Sequence, residues 1–202
     1  MVSQIKSDDL QKIAEGIHKK FIKVAVSPEG QFKYPTGKNG LTRLNYDNSL
    51  IERLPDEVAA SYCGVGNPFS LGKIQQGENI LDVGCGAGVD TFLAAILVGP
   101  AGSVIGVDLV PEMISRAKSN QHRMNLDNVI FQTVSGENLP FPGDSFDVVI
   151  SNGVINLIPD KQTALEEIAR VIKPAGRFLL ADQISAGKME KDLSARLANW
   201  FQ

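Results

Sequence analysis

The sequence predicts an α/β fold, a doubly wound and mostly parallel sheet, and three observations support that prediction. From Glu78 onward short apolar runs alternate with helical segments; one run ends in alternating glycines; and a second run, about twenty residues further on, ends in a carboxylate. Strand and helix in alternation imply right-handed crossovers and a sheet covered on both faces. In such sheets ligands sit beyond the carboxyl ends of the strands, where the strand order reverses.

Taken in order, Leu10, Ile13, Ile17, Phe21 and Val24 recur at helical spacing and form an amphipathic helix suited to lie across a larger body as a lid or brace. Ser27 to Gly40 holds two prolines and three glycines and reads as loop. Asp47 or Asn48 caps a short helix that runs past Leu50 and Leu54, and Pro55 either breaks it or starts the next. Strands are expected at Asn79–Val83, Ser103–Asp108, Asn128–Val134, Phe146–Ser151 and Arg177–Asp182. Helices are expected at Val89–Val98, Pro111–Met124 and Lys161–Ile172, with Pro111 in a first turn and Asp160 as a cap. Asp192 to Gln202, with Leu193, Leu197 and Trp200, reads as one more amphipathic helix. The chain therefore divides into an N-terminal helical cap and lid loop over residues 1–76 and a ligand-binding α/β domain over 77–202.

With 202 residues there is room for one decorated domain and not for two with a linker. Twenty basic against 23 acidic groups leave a formal charge of −3, without the basic surplus that nucleic acid or anionic lipid demands. The longest apolar run, Phe92 to Val98, is far short of a bilayer span, and Asp8, Asp9 and Glu15 interrupt any leader-like stretch. No nucleic-acid or membrane partner and a cytoplasmic location are expected. Cys63 and Cys85 are expected as free thiols, because a chain of this size has no need of a disulfide framework. His18 and His122 lack ligand spacing, so no metal is expected, and neither a P-loop nor a serine-hydrolase motif is present.

Ile80-Leu81-Asp82-Val83-Gly84-Cys85-Gly86-Ala87-Gly88 runs an apolar strand straight into a glycine turn. Glycine permits positive φ and lets a ligand approach the backbone, while the next helix presents its N-terminal amides. The spacing is G-x-G-x-G, and Val89 stands where a dinucleotide fingerprint has its third small residue. A plain tight turn is the alternative. Val104-Ile105-Gly106-Val107-Asp108 places an acid where a ribose diol would lie, or where it caps the following helix.

LDVGCGAG followed by GVDLVPEM resembles the class I S-adenosylmethionine-dependent methyltransferases. The likeness continues through LPFPGDSFDVVISNGVINLIPD and RVIKPAGR, covering about Gly77 to Asp182. VGNPFSLG, FLAAILVGPAG and SNGVINLIPDK are most similar to the arsenite methyltransferase branch and extend it to about Cys63. The resemblance implies a Rossmann-like fold, S-adenosylmethionine as cofactor and S-adenosylhomocysteine as product. It implies that Gly84, Gly86 and Gly88, with Cys85 inside the same turn, pass under the methionine and ribose portion, and that Asp82 sits near the methionine amino group. Asp108 would take the ribose hydroxyls and Leu109 would pack on the adenine. Ser135 stands where the family often has an acid for the adenine amino group, with Gly136, Glu137 and Asn138 close by. Asn152 would face the cleft where the methyl group leaves, although Asn152-Gly153 also reads as a turn. Cys63 matches the first of three metalloid-binding cysteines; Gly153 occupies the second position, and no cysteine follows Cys85.

An activated methyl group requires chiefly a nucleophile held in line about 3 Å away. A soft nucleophile needs no general base, whereas a hydroxyl or carbon acid does. Asp147 and Asp160 are base candidates by location that also suit turns and caps. The function expected is methyl transfer to a small molecule, of thiol or metalloid type, with Asn152 and Cys63 as the catalytic candidates. The alternatives are a non-catalytic sensor or accessory subunit that keeps the cofactor fold, and a nicotinamide-dependent oxidoreductase, which the glycine spacing disfavours. Only Ile184 to Gln202 follows the last strand, a shortened end beside the family's usual helix and antiparallel hairpin. A second copy of the chain, as a homodimer, is the candidate cover for the edge strand.

Overall fold

The computed structural model describes residues 7–184. Its centre is a five-stranded sheet of β1 (Asn79–Val83), β2 (Ser103–Asp108), β3 (Val129–Thr133), β4 (Phe146–Asn152) and β5 (Ile172–Ala181). The order is β3-β2-β1-β4-β5 and every pairing is parallel. The chain moves outward from β1 through β2 to β3, then returns to the other side of β1 with β4. The strand order therefore reverses between β1 and β4, and a crevice opens above their carboxyl ends.

Helices α5 (Val89–Val98), α6 (Pro111–Met124) and α7 (Lys161–Val171) connect the strands. Successive strand residues point to opposite faces, so Ile80, Val104, Val129 and Val148 pack with α5 and α6, while Leu81, Val83, Val107 and Val149 pack with Ile168 and Val171 of α7. Pro111 opens α6, and Asp160 caps α7 by accepting from the Thr163 amide.

The N-terminal helix α1 spans Ser7–Val26, and Ile13, Ile17 and Val24 bury its apolar face against Ala87, Val110 and Met113. Three short helices follow, α2 (Gly37–Arg43), α3 (Asn48–Ile51) and α4 (Asp56–Ala59). Asp47 caps α3 through the Ser49 amide, and Pro55 stands at the start of α4. Leu41, Tyr46, Ile51, Val58 and Tyr62 join the same apolar cluster as Ile80 and Phe92, so these helices share a core with the sheet.

Several boundaries differ from the sequence expectation by one residue, and three differ by more; the first is the helix expected to run past Leu54, which ends at Ile51. The segment expected as loop up to Gly40 already turns helical at Gly37, because Gly40 packs so closely on Pro35 and Tyr62 that a Cβ would lie 2.6 Å from the Pro35 carbonyl. There glycine serves contact, not flexibility. The last strand starts at Ile172, five residues before Arg177, and absorbs Lys173-Pro174-Ala175-Gly176 as an irregularity in its register with β4. The helix expected at Asp192–Gln202 lies outside the described residues. No described helix is long and apolar enough to cross a membrane.

Candidate functional site

The glycine turn begins where β1 ends. Gly84, Gly86 and Gly88 have φ of +76°, +54° and +89°, values that L side chains adopt only under strain. Gly84 and Cys85 donate their amides to the Val107 carbonyl, which fixes the turn to the end of β2. At Asp108, the last residue of β2, one carboxylate oxygen accepts from the Gly86 amide and the other from the Val110 amide, both at 2.9 Å. Burial, outweighing these two bonds, raises its pKa to about 6.

A cavity of about 150 Å³ opens above this turn. Of the residues singled out in the sequence, Cys63, Gly84, Gly86, Asp108, Leu109, Ser135, Gly136, Glu137 and Asn152 line it. Leu109 is 52% exposed and offers a bare apolar shelf at the rim. Glu137 is held in place, its carboxylate accepting from the Asp160 amide and the Ser135 hydroxyl. A second cavity of about 40 Å³ shares Cys63, Gly84, Gly86 and Asn152 and adds Asp82, Cys85 and Asp90.

Gly88 borders neither cavity. A Cβ there would meet the Phe131 ring at 2.7 Å, so this glycine allows α5 to close on β3 and does not admit a ligand. Gly84 faces Val154 in the same way. At Gly86 the neighbour is the flexible end of Met113, at 3.1 Å.

Asn152 ends β4 with its amide engaged by the protein. Its oxygen accepts from the amides of Val65 and Gly66, and its nitrogen donates to the Gly66 carbonyl and to Asp90, both at 2.8 Å. Asp90, 8% exposed, also accepts from the Tyr46 hydroxyl at 2.7 Å, and the Tyr62 hydroxyl donates to Tyr46 at 3.1 Å. Burial raises the Asp90 pKa to about 6. Asp82, 2% exposed, accepts from Thr91 at 2.6 Å; burial and the Asp90 charge raise its pKa as well. Cys63 feels the same surroundings: burial, then the charges of Asp108 and Asp90, push its thiol up to about 12, so at neutral pH it is a neutral thiol.

Helix α1 closes the cavity from above with Ile17, Lys20 and Phe21, joined by Phe32 and Tyr34. The Tyr34 hydroxyl donates to the Cys63 carbonyl, and the Lys20 ammonium lies 4.7 Å from the Phe32 ring centroid. Asp147 and Asp160 are engaged elsewhere: Asp147 accepts from the Lys173 ammonium and the Asn79 amide at the far end of the sheet, and Asp160 caps α7. Sequence reasoning missed Lys20, Asp90, Tyr46, Tyr62 and Asn156. Only Asp90 left a local signal, an acid in the first turn of the helix behind the glycines.

The family model described as "Methyltransferase domain" matches residues 74–202. An arsenite methyltransferase of Halobacterium salinarum is 40% identical over 78% of this chain and 40% of its own. Among solved structures, an arsenic(III) S-adenosylmethionine methyltransferase from Chlamydomonas reinhardtii superimposes with a TM-score of 0.59 at 37% identity, over 64% of this chain and 46% of that one. A phosphoethanolamine N-methyltransferase of Haemonchus contortus, solved with phosphomonomethylethanolamine and S-adenosylhomocysteine, gives a TM-score of 0.57 at 26% identity, over 65% and 31%. The chain spans about two fifths of the length of the curated relatives it matches.

Proposed function

The chain belongs to the class I S-adenosylmethionine-dependent methyltransferases, in the branch that includes the arsenite methyltransferases, and from that premise we propose that its cavity binds S-adenosylmethionine and delivers the methyl group to a small molecule. The observation that carries the proposal is Asp108. Each of its oxygens accepts one backbone N–H and keeps further acceptor capacity, and the residue lines the cavity, which together suit a vicinal diol.

Other residues fit the same ligand. Asn156 lines the cavity, and its buried side-chain oxygen has no hydrogen-bond partner among the described residues, so it would be an acceptor for a ligand donor. Asp82 and Asp90 border the smaller cavity and favour a cationic group. Leu109 offers a flat apolar contact for a base. When bound, the cofactor supplies a sulfonium-activated methyl group, so the protein's work is to orient and to exclude water. Helix α1, Phe32 and Tyr34 exclude water from above.

Among the described residues that line the cavity, no carboxylate is left unengaged to deprotonate an acceptor, and no histidine is present. Asp108 and Glu137, its lining carboxylates, are held by hydrogen bonds, and Asp147 and Asp160 act elsewhere. We therefore assign an acceptor with a soft nucleophile, of thiol or metalloid type. Cys63 faces the cavity as a neutral thiol and the described residues gather no group of three metal-ligating side chains, so the metalloid would enter already carrying its own ligands.

Titration calorimetry with S-adenosylhomocysteine tests the cofactor. The wild type should bind, and Asp108→Ala should lose affinity by about 30-fold or more, since it removes two charge-assisted acceptors. A folded wild type that does not bind ends the reading. Transfer of labelled methyl to arsenite with and without glutathione, and to small thiols, then identifies the acceptor.

A further inference from the structure

We propose that the methyl acceptor is an aryl thiol, a sulfur carried directly on an aromatic ring; this deepens the soft-nucleophile reading above and rests on it. On that reading the point of transfer lies between the diol end at Asp108 and the acidic end at Asp82 and Asp90, where Cys63, Gly84, Gly86 and Asn152 border both cavities. Aromatic rings roof it. The Tyr34 hydroxyl donates to the Cys63 carbonyl at 3.0 Å, which fixes that ring at the passage, and the Phe32 ring follows at 5.0 Å between centroids with a tilt of 32°. Phe21, Phe32 and Cys63 pack on the apolar cluster beneath α1, and Val65, also in the wall, lies against Gly153. Such a roof recognises a flat apolar body, because a ring gains from offset or edge contact beyond the area it buries. A small hydroxylated acceptor would bring polar groups against these faces and leave them unpaired.

The surroundings also select the ionisation state. Burial, then the charges of Asp108 and Asp90, hold the Cys63 thiol at about 12, and they would keep an alkyl thiol beside it protonated as well. The Tyr34 phenol keeps its proton, pushed up by burial and shared with the Cys63 carbonyl. The carboxylates of Asp108 and Glu137 are engaged by the protein. An alkyl thiol would therefore have to attack as the neutral, weak nucleophile. In an aryl thiol the ring spreads the thiolate charge, so the proton is lost to solvent before binding and no base is required. The sulfur lone pair then forms the new S–C bond while the methyl C–S bond of the sulfonium breaks, its electron pair going to the cofactor sulfur. An aryl methyl thioether and S-adenosylhomocysteine remain, both uncharged at sulfur.

Initial rates with labelled S-adenosylmethionine and a set of thiols separate the two arguments. Thiophenol has the ring and is ionised near neutrality; phenylmethanethiol has the ring and is not; 2-mercaptoethanol has neither property. Measured above the protein-free rate at about pH 7.5, kcat/KM should fall by about tenfold or more at each step of that order. Phe32→Leu, which keeps an apolar side chain without a ring, should raise the KM for thiophenol about fivefold, and Phe32→Tyr should match the wild type. Equal rates for thiophenol and phenylmethanethiol would reveal a working base in the site and overturn the proposal. So would a faster transfer to arsenite with glutathione than to thiophenol, or a thiophenol KM unmoved by Phe32→Leu. Binding of S-adenosylhomocysteine by the same preparations keeps the failures apart. If that ligand binds and no thiol is methylated, the aryl-thiol proposal alone is lost; a folded wild type that does not bind it ends the cofactor reading and this proposal together.

Discussion

The amide of Asn152 has every hydrogen-bonding position taken by the protein, so its side chain has nothing left to offer a reacting methyl group. It straps the Val65–Gly66 backbone to the end of β4 and thereby sets one wall of the cavity, which makes it a positioning residue. Asn152→Asp would turn a donor into an acceptor facing both the Gly66 carbonyl and Asp90. A loss of about 3 kcal/mol or more is expected, read as a lower urea midpoint at neutral pH. Partial recovery on acidification, as the new carboxyl gains a proton, would identify the cause as repulsion; a loss independent of pH would count against it. Cys63 is constrained similarly. Its neighbours Asp108 and Asp90 oppose the thiolate that metal or metalloid ligation requires.

At the scale of elements, the glycine turn divides into parts with separate duties, and substitution can separate them. Gly88→Ala places a methyl group against Phe131 at a φ of +89°, combining backbone strain with overpacking of the α5–β3 contact. A destabilisation of about 2–4 kcal/mol is expected, with S-adenosylhomocysteine affinity kept in the folded fraction. Gly86→Ala meets only the movable end of Met113, so it should cost about 1–2 kcal/mol while its methyl intrudes on the ligand and weakens binding strongly. If calorimetry and denaturation gave the two variants the same profile, this division would fail. The turn and its flanking elements were legible in the sequence because each rests on local chemistry. The runs at Asn79–Val83 and Ser103–Asp108, bounded by polar residues or glycine, match their strands to the residue, and α5 and α6 do likewise. The start of β5 was not legible, because Lys173-Pro174-Ala175-Gly176 reads as a turn and is kept in the strand by tertiary contacts, including the Lys173 bridge to Asp147 and Ala175 at a φ of +64°. The Asp90, Tyr46, Tyr62 and Asn152 network was hidden for a deeper reason. Its bonds join residues 16 to 106 positions apart, and no local periodicity encodes such a meeting.

For the whole molecule, burying carboxylates around one turn makes stability and ligand binding respond to pH in opposite directions. Asp90 and Asp108 have folded pKa values of about 6 against an ordinary 3.8. The unfolded chain therefore releases these protons first as pH rises, and the folded state pays a penalty that is absent below 3.8 and complete above about 6. For Asp90, 8% exposed, that penalty is of order 3 kcal/mol. Asp47, Asp147, Asp160 and Glu167 are held below their ordinary values and so titrate beneath this window, where they supply the usual acid destabilisation. Without ligand, the protein should gain stability between about pH 7.5 and about pH 5. Binding should move the other way: Asp108 must be ionised to accept strongly from a diol, and at about pH 5 only about a tenth of it is, which costs about tenfold in affinity. The increase in unfolding temperature produced by a fixed concentration of S-adenosylhomocysteine should accordingly be smaller at about pH 5 than at about pH 7.5. Asp90→Asn isolates the first effect. It can keep bonds to both Tyr46 and Asn152 by turning its amide, removes one ionisation, and should flatten the stability profile of the unliganded protein. A ligand-induced shift that is equal at the two pH values, together with an unliganded stability that falls steadily on acidification through this range, would show that the buried carboxylates do not govern the crevice.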